Sequence, residues 1–364
     1  MKKIASLLLL GALFASAIHA QDPVNDDGKI INKQKMDRKD YLPEVHGTIR
    51  AKYEYQTEME AGRFEVRNAR ISFTGNILPT VAYKAEIDLS DEGSIKMLDA
   101  YARLFPVKGL TVTAGQMRVP FTIDAHRSPH QQYFANRSFI AKQVGNVRDV
   151  GLTLGYKLPI AMPVTLEAGL YNGNGLTDQK NAWSSHINYS AKASMMLAKW
   201  WNLTLSAQSI KPVDVSVRSV DAGMYFEFGG LHIEGEYLYK TYSNNMYKDV
   251  QAVNSFINYD LPLKKGPFTK ISFLARYDYM TDQSNAKETD ELEDGTIVMM
   301  TDAEGHLTTT DYKRQRLTGG VTLSLSKAFR TDLRLNFEKY FYASNSIAKE
   351  SEQDKVVLEL MVRF

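Results

Sequence analysis

The chain has 364 residues, with 44 Lys and Arg against 42 Asp and Glu, 11% aromatic side chains and a mean hydropathy of -0.32. So even a balance gives no broad polycationic surface for nucleic acid, and the absence of cysteine excludes disulfide frameworks and thiolate sites. No apolar run in the body of the chain approaches the roughly twenty residues of a membrane-spanning helix.

At the amino-terminus, Lys2 and Lys3 precede an apolar stretch from Ile4 to Ile18, and small residues lead to Ala20. This is the pattern of a secretory signal over residues 1–20, with cleavage before Gln21. Residues 21–45 are polar, rich in Asp, Asn and Lys, and read as a periplasmic linker. From 46 to 364 the dominant signal is alternation with period two. Gly47 to Glu58 sends Ile49, Ala51, Tyr53 and Tyr55 to one face and Arg50, Lys52, Glu54 and Gln56 to the other. Further strands are expected to begin near Phe64, Val81, Met97, Leu110, Asp149, Val164, Ile187, Asn202, Val217, Leu231, Val250, Thr269, Arg316, Thr331 and Asp354, sixteen in all.

The connections alternate in length. Short ones, mostly with Gly or Pro, fall at Gly75 to Thr80, Phe105 to Gly109, Leu158 to Pro163, Ala198 to Trp201, Gly229-Gly230, Leu261 to Phe268 and Ser326 to Phe329. Longer ones are Arg118 to Arg148, Asn172 to His186, Ile210 to Ser216, Thr241 to Asp249, Thr281 to Gln315 and Phe341 to Gln353. The final segment, Lys355 to Phe364, puts Val356, Leu358, Leu360, Val362 and Phe364 on one face and Glu359 and Arg363 on the other. Together these predict an all-β fold: a transmembrane antiparallel up-and-down β-barrel of about 16 strands in the outer membrane of a Gram-negative bacterium, in contact with lipid and lipopolysaccharide. Tyr53, Tyr55, Trp200, Trp201, Tyr237, Tyr239, Tyr277, Tyr279 and Tyr340 to Tyr342 are expected in its aromatic girdles. Sixteen strands enclose a lumen too wide for side chains to fill, so a channel is the default function.

No GxSxG, HExxH or phosphate-binding glycine loop is present. Ser128, His126 and His130 share one loop, but nothing in the pattern orients a base or an oxyanion hole, so no enzyme, catalytic residue, cofactor or metal is expected. That loop, Arg118 to Arg148, holds Arg118, Arg127, Arg137, Lys142 and Arg148 against Asp124 alone, a net charge of +4. Folded inward, it would narrow the lumen with cations and favour small anions, since arginine pairs bidentately with phosphate and carboxylate and stays charged. Arg50, Lys52, Arg70 and Lys84 are expected to line the lumen, together with Lys192, Arg276, Arg316 and Arg334. They share it with Glu54, Glu86, Asp88, Asp221, Glu234, Glu236, Asp278 and Glu338. Thr281 to Asp311 is opposite in sign at net -8 and reads as a hydrated acidic loop.

The blocks Phe64 to Gly75 (FEVRNARISFTG), Leu98 to Leu104 (LDAYARL), Leu110 to Phe121 (LTVTAGQMRVPF), Arg148 to Gly155 (RDVGLTLG) and Gly169 to Gly175 (GLYNGNG) resemble, in order, those of the phosphate-selective porin O and P family in its Bacteroidetes form. The resemblance implies a sixteen-stranded outer-membrane porin, a homotrimer, passing small anions by passive diffusion. The mixed charges of the lumen depart from the arginine-lined channels of that family. A non-selective general porin, or a structural or adhesive barrel binding a partner through its external loops, are the competing readings.

Overall fold

The computed structural model describes residues 41–364 apart from 92–93, 145–147, 177–178, 264–265, 293, 326–329 and 344–345. The expected signal, most of the linker and the turn Ser326 to Phe329 lie outside the described residues. Eighteen strands follow in chain order: β1 (Glu44–Gln56), β2 (Ala61–Leu78), β3 (Val81–Asp91), β4 (Ser94–Leu104), β5 (Leu110–Arg118), β6 (Arg148–Lys157), β7 (Val164–Tyr171), β8 (Asn188–Ala198), β9 (Trp201–Ile210), β10 (Val217–Phe228), β11 (Leu231–Tyr242), β12 (Val250–Pro262), β13 (Lys270–Met280), β14 (Thr289–Glu291), β15 (Ile297–Met299), β16 (Arg314–Ser324), β17 (Thr331–Tyr342) and β18 (Lys355–Arg363). Sixteen of them close into one antiparallel barrel, each next to its predecessor, and β14–β15 form a separate hairpin in the long connection between β13 and β16. That hairpin was not foreseen, because three polar residues per strand carry no periodicity.

Closure is made by β18 on β1, from Thr48 opposite Arg363 to Gln56 opposite Lys355. Past the last strand residue, the Phe364 N–H donates to Gly47 O at 3.0 Å and the Gly47 N–H to Phe364 O at 2.7 Å. A Cβ on Gly47 would lie 2.2 Å from the Phe364 ring, so only glycine lets that ring cross the seam. At the short-turn end, Gly229 and Gly230 both take positive φ (+54° and +112°), as a two-residue hairpin turn with primed geometry needs.

Burial is inverted relative to a water-soluble protein. Leu154, Leu205, Ile233, Phe273, Leu335, Leu358 and Leu360 are exposed on the outer face, while Arg50, Glu234, Arg334, Glu338 and Glu359 are among the most buried side chains. This ordering is stable only with hydrocarbon outside and polar contacts within. The aromatic expectation needs one correction. Tyr340 and Tyr342 share the inward face with Glu338, Tyr340 donating to Glu338 at 2.8 Å and Tyr342 to Glu352 O at 2.6 Å, and only Phe341 between them faces out. Period two cannot place three consecutive aromatics on one side.

Candidate functional site

After Arg118 the chain leaves the wall and crosses the lumen, through a short 3-10 turn at Asp124–His126, a second at Pro129–Gln131 and a π-helical turn at Ile140–Val144. The inward faces of strands β8 to β17 hold it in place. Ser190 donates to Pro120 O at 2.9 Å, the Thr122 N–H to Ser206 at 3.0 Å, and the Ile123 N–H to Glu236. Arg127 forks onto both oxygens of Glu234 and lies 3.1 Å from Asp124. Arg276 donates to Asn136 O at 2.9 Å with its guanidinium 4.3 Å from the Phe134 ring, and Arg316 donates to Arg137 O at 2.7 Å. The Ala135 N–H donates to Asn336 at 2.8 Å. From β1, Arg50 reaches Gln132 and Ala135 O.

A second layer packs on this segment. Val119, Phe121, Phe139, Ile140 and Val144 form one apolar cluster with Leu238, Val250, Met280, Ala286 and Leu307. The acidic connection 281–313 is therefore more than a hydrated loop: beside its exposed carboxylates, its Ala286 and Leu307 are buried in one cluster with the inward segment. From the last connection, buried Glu352 accepts from Lys142 at 2.8 Å and Gln143 at 2.7 Å and pairs with Arg314 at 2.6 Å.

Two cavities lie mainly against β1–β6. One cavity of about 330 Å³ faces the short-turn end and is bordered by Arg70, Lys84, Arg103, Arg118 and Arg363 among its cations and by Glu86, Asp99 and Glu167. A wider one of about 930 Å³ faces the long-loop end, bordered by Arg50, Arg63, Arg67, Arg70, Lys96 and Arg137 and by Glu65 and Asp88. Arg70 borders both.

The five expected constriction cations differ in what they touch. Arg148 is tied to Asp99 at 2.6 Å and Glu86 at 3.2 Å, Lys142 to Glu352, and Arg127 to Glu234. Arg118 and Arg137 have no carboxylate within ion-pair distance among the described residues. They bind backbone carbonyls of one turn, Arg118 those of Ala125 (3.3 Å) and His126, Arg137 those of Asp124 (3.1 Å), Ala125 (3.3 Å) and Arg127 (2.9 Å). Burial, with Arg118, Arg70 and Arg50 nearby, pushes the Arg137 guanidinium well below its ordinary pKa, against the pull of Asp124. Burial opposes ionisation of Asp124 too, but Arg127, Arg137 and the Ser138 hydroxyl outweigh it and bring its carboxyl down to about 2. Burial and the charges of Lys192 and Arg118 hold His126 well below the usual imidazole range. The four expected lumen residues all point inward: Arg50 pairs with Glu359 at 2.5 Å, Lys52 with Glu54 at 2.8 Å, Arg70 with Asp88 at 2.9 Å and Lys84 with Asp99 at 3.1 Å.

Sequence reasoning missed Arg63, Arg67 and Lys96. Two β-bulges explain this. In β2 the register against β1 slips between Asn68 and Val66, leaving Arg67 as the extra residue, so Asn68 and Arg70 face in below the bulge and Arg63 and Glu65 above it. In β4 Leu98 is the extra residue opposite the step from Glu86 to Ile87, which turns Lys96 inward. A one-residue slip inverts every later position. Asn68, buried within a segment of otherwise alternating character, was the available hint.

A closed barrel with a lipid-compatible exterior, a charged lumen and a segment folded across it defines an outer-membrane porin, a channel rather than an enzyme. Residues 44–214, which span β1 to β9 and contain all five sequence blocks, match the family model described as phosphate-selective porin O and P, and the resemblance drawn from those blocks holds. No curated protein matches the sequence. Among solved structures, the chain is similar to OmpF of Salmonella typhi in complex with daunomycin (TM-score 0.61, 12% identity, covering 90% of this chain and 99% of that one). It is also similar to an anion-selective porin from Comamonas acidovorans (0.58, 10%, 88% and 98%) and to the trimer form of OmpT, an outer-membrane protein of Vibrio cholerae (0.57, 11%, 89% and 98%). At these identities the likeness is one of fold.

Proposed function

We propose that this porin prefers small anions, phosphate among them, and that they pass between the inward segment and the β1–β6 wall at a constriction made by Arg70, Arg118 and Arg137. The observation that carries this reading is the pair Arg118 and Arg137: two inward guanidiniums with no carboxylate within ion-pair distance among the described residues, each bordering one of the two cavities. Backbone carbonyls satisfy part of each fork and fix its direction, leaving its net charge for a passing anion. Arg127, Lys142 and Arg148 have a different role in this reading, since their carboxylate partners make them anchors of the segment. Passage needs no energy input, because the charged ring only raises the local anion concentration.

Three further features complete the proposal. The long-loop end faces the exterior and meets lipopolysaccharide; residues 1–20 direct export and are removed; the working unit is a homotrimer. The likeness to an anion-selective porin and to a trimer is consistent with these assignments without establishing them. The test is the reversal potential in a planar bilayer under a potassium chloride gradient. Anion preference is expected, and cation preference in the unmodified protein would overturn the reading.

A further inference from the structure

Sixteen Asp and Glu residues of the described chain are buried, and two stand apart. Thirteen lie within ion-pair distance of a Lys, Arg or His, and Asp149 accepts backbone N–H groups of Val150 and Gly173. Asp221 on β10 and Glu236 on β11 have no cation within ion-pair distance among the described residues, and each keeps one oxygen, Asp221 Oδ2 and Glu236 Oε2, without a hydrogen-bond partner. Lys192, whose charge reaches both, pairs instead with Glu167 at 3.8 Å. Two uncompensated carboxylates in one dry place are expensive, so a positive charge belongs beside them.

The two are neighbours. Asp221 stands opposite Leu238 and Glu236 opposite Gly223, which makes the carboxylates diagonal partners on the inward face, within reach of each other. Gly223 has no side chain, and the space is taken by Ile123, whose Cδ1 would lie 2.5 Å from a Cβ there. The start of the inward segment completes the knot. The Thr122 N–H donates to Ser206 at 3.0 Å, Ser206 donates to Asp221 Oδ1 at 3.2 Å, and the Ile123 N–H donates to Glu236 Oε1. Thr122 is fully buried, its Oγ1 also lacks a partner, and its φ of +62° is a conformation β-branched residues rarely adopt. The three orphan oxygens are shielded from solvent.

We propose that the oxygens of Asp221, Glu236, Thr122 and Ser206 hold a hard metal cation, calcium being the best match, that staples the start of the inward segment to the β9–β11 wall. The donors are all oxygen, with no imidazole or thiolate, which suits a hard cation; the two carboxylates stand without a third, since no group of three or more His, Cys, Asp and Glu side chains able to hold a metal ion occurs among the described residues. Two carboxylates and two hydroxyls supply six side-chain oxygens, the lower end of the roughly six to eight that calcium takes. A cation also satisfies the threonine hydroxyl, which a proton shared between the carboxylates would leave alone.

The test uses the folded full-length porin in detergent, freed of metal with EDTA and titrated calorimetrically with calcium chloride. One saturable site is expected. D221N and E236Q should each weaken it at least tenfold, T122S should retain it and T122G should weaken it. A control, D290N/E291Q/D302N, removes exposed carboxylates of the external connection and should keep the site. Retained heat-modifiable migration on gels certifies that each variant is folded, and T122S and T122G carry the comparison if a carboxylate variant fails to fold. Absence of saturable binding, equal affinity in D221N and E236Q, or loss only in the external control would overturn the proposal; the first result would leave a shared proton as the missing charge.

Discussion

The β11–β17 side and the β1–β5 side of the lumen use the same residue types for opposite ends. On the first, Arg276, Arg316, Asp278 and Glu338 form ion pairs such as Arg316 with Asp278 at 2.7 Å, and the inward segment lies across them with carbonyls of Asn136 and Arg137 accepting from Arg276 and Arg316. On the second, cavities of about 330 and 930 Å³ remain, and their bordering cations outnumber their acids. A balanced lumen thus becomes asymmetric because the segment covers the neutralised wall and leaves the basic one in contact with solvent. Counting charges over the whole interior averages that difference away.

The comparison breaks first if the uncovered side does not set selectivity. R118E/R137E is expected to invert the sign of the reversal potential, a shift of about tenfold or more in permeability ratio if the two sites together change the local energy by about 1.4 kcal/mol or more. An unchanged sign would mean that anions do not pass these residues. On the covered side the expected effect is on stability. E234Q leaves Arg127 without its bidentate partner, and losing one member of a buried pair costs about 3–5 kcal/mol, to be read as a lower unfolding midpoint in denaturant titration of the detergent-solubilised barrel. E352Q removes the anchor of Lys142 and Gln143 and should act more weakly, by about 1–3 kcal/mol, with increased open-channel current noise. The smallest effect is expected from D290N/E291Q on the exposed hairpin: its charges are hydrated and screened over about 10 Å in 0.1 M salt, so the reversal potential should hardly move.

The acid limit of the covered side follows from Asp124. Its folded pKa of about 2 lies below the ordinary 3.8, so its contribution is complete above pH 4 and is lost as pH falls through 2. Protease resistance of the inward segment should therefore survive acidification to about pH 4 as far as Asp124 is concerned, and D124N should lose resistance at neutral pH.

The barrel was legible in the residue pattern. Alternation located all sixteen wall strands and the rhythm of their connections, because a strand between lipid and water must alternate along its whole length. Strand starts were less legible: β1 opens at Glu44 rather than Gly47, β2 at Ala61 rather than Phe64 and β4 at Ser94 rather than Met97, since rim residues meet water on both faces. The unusual charge of Arg118 to Arg148 was also visible, as was its wealth of arginine. Which of those cations pair with a carboxylate emerges only in three dimensions, because Glu234, Glu352 and Asp99 come from strands and connections remote in sequence. It also decided the inward turn of Arg67 and Lys96, since a bulge changes the parity of a strand without changing its composition. The placement of Asp221 and Glu236 side by side, with Thr122 brought over them, depends on register between β10 and β11 and on a segment about a hundred residues away, which no local pattern encodes.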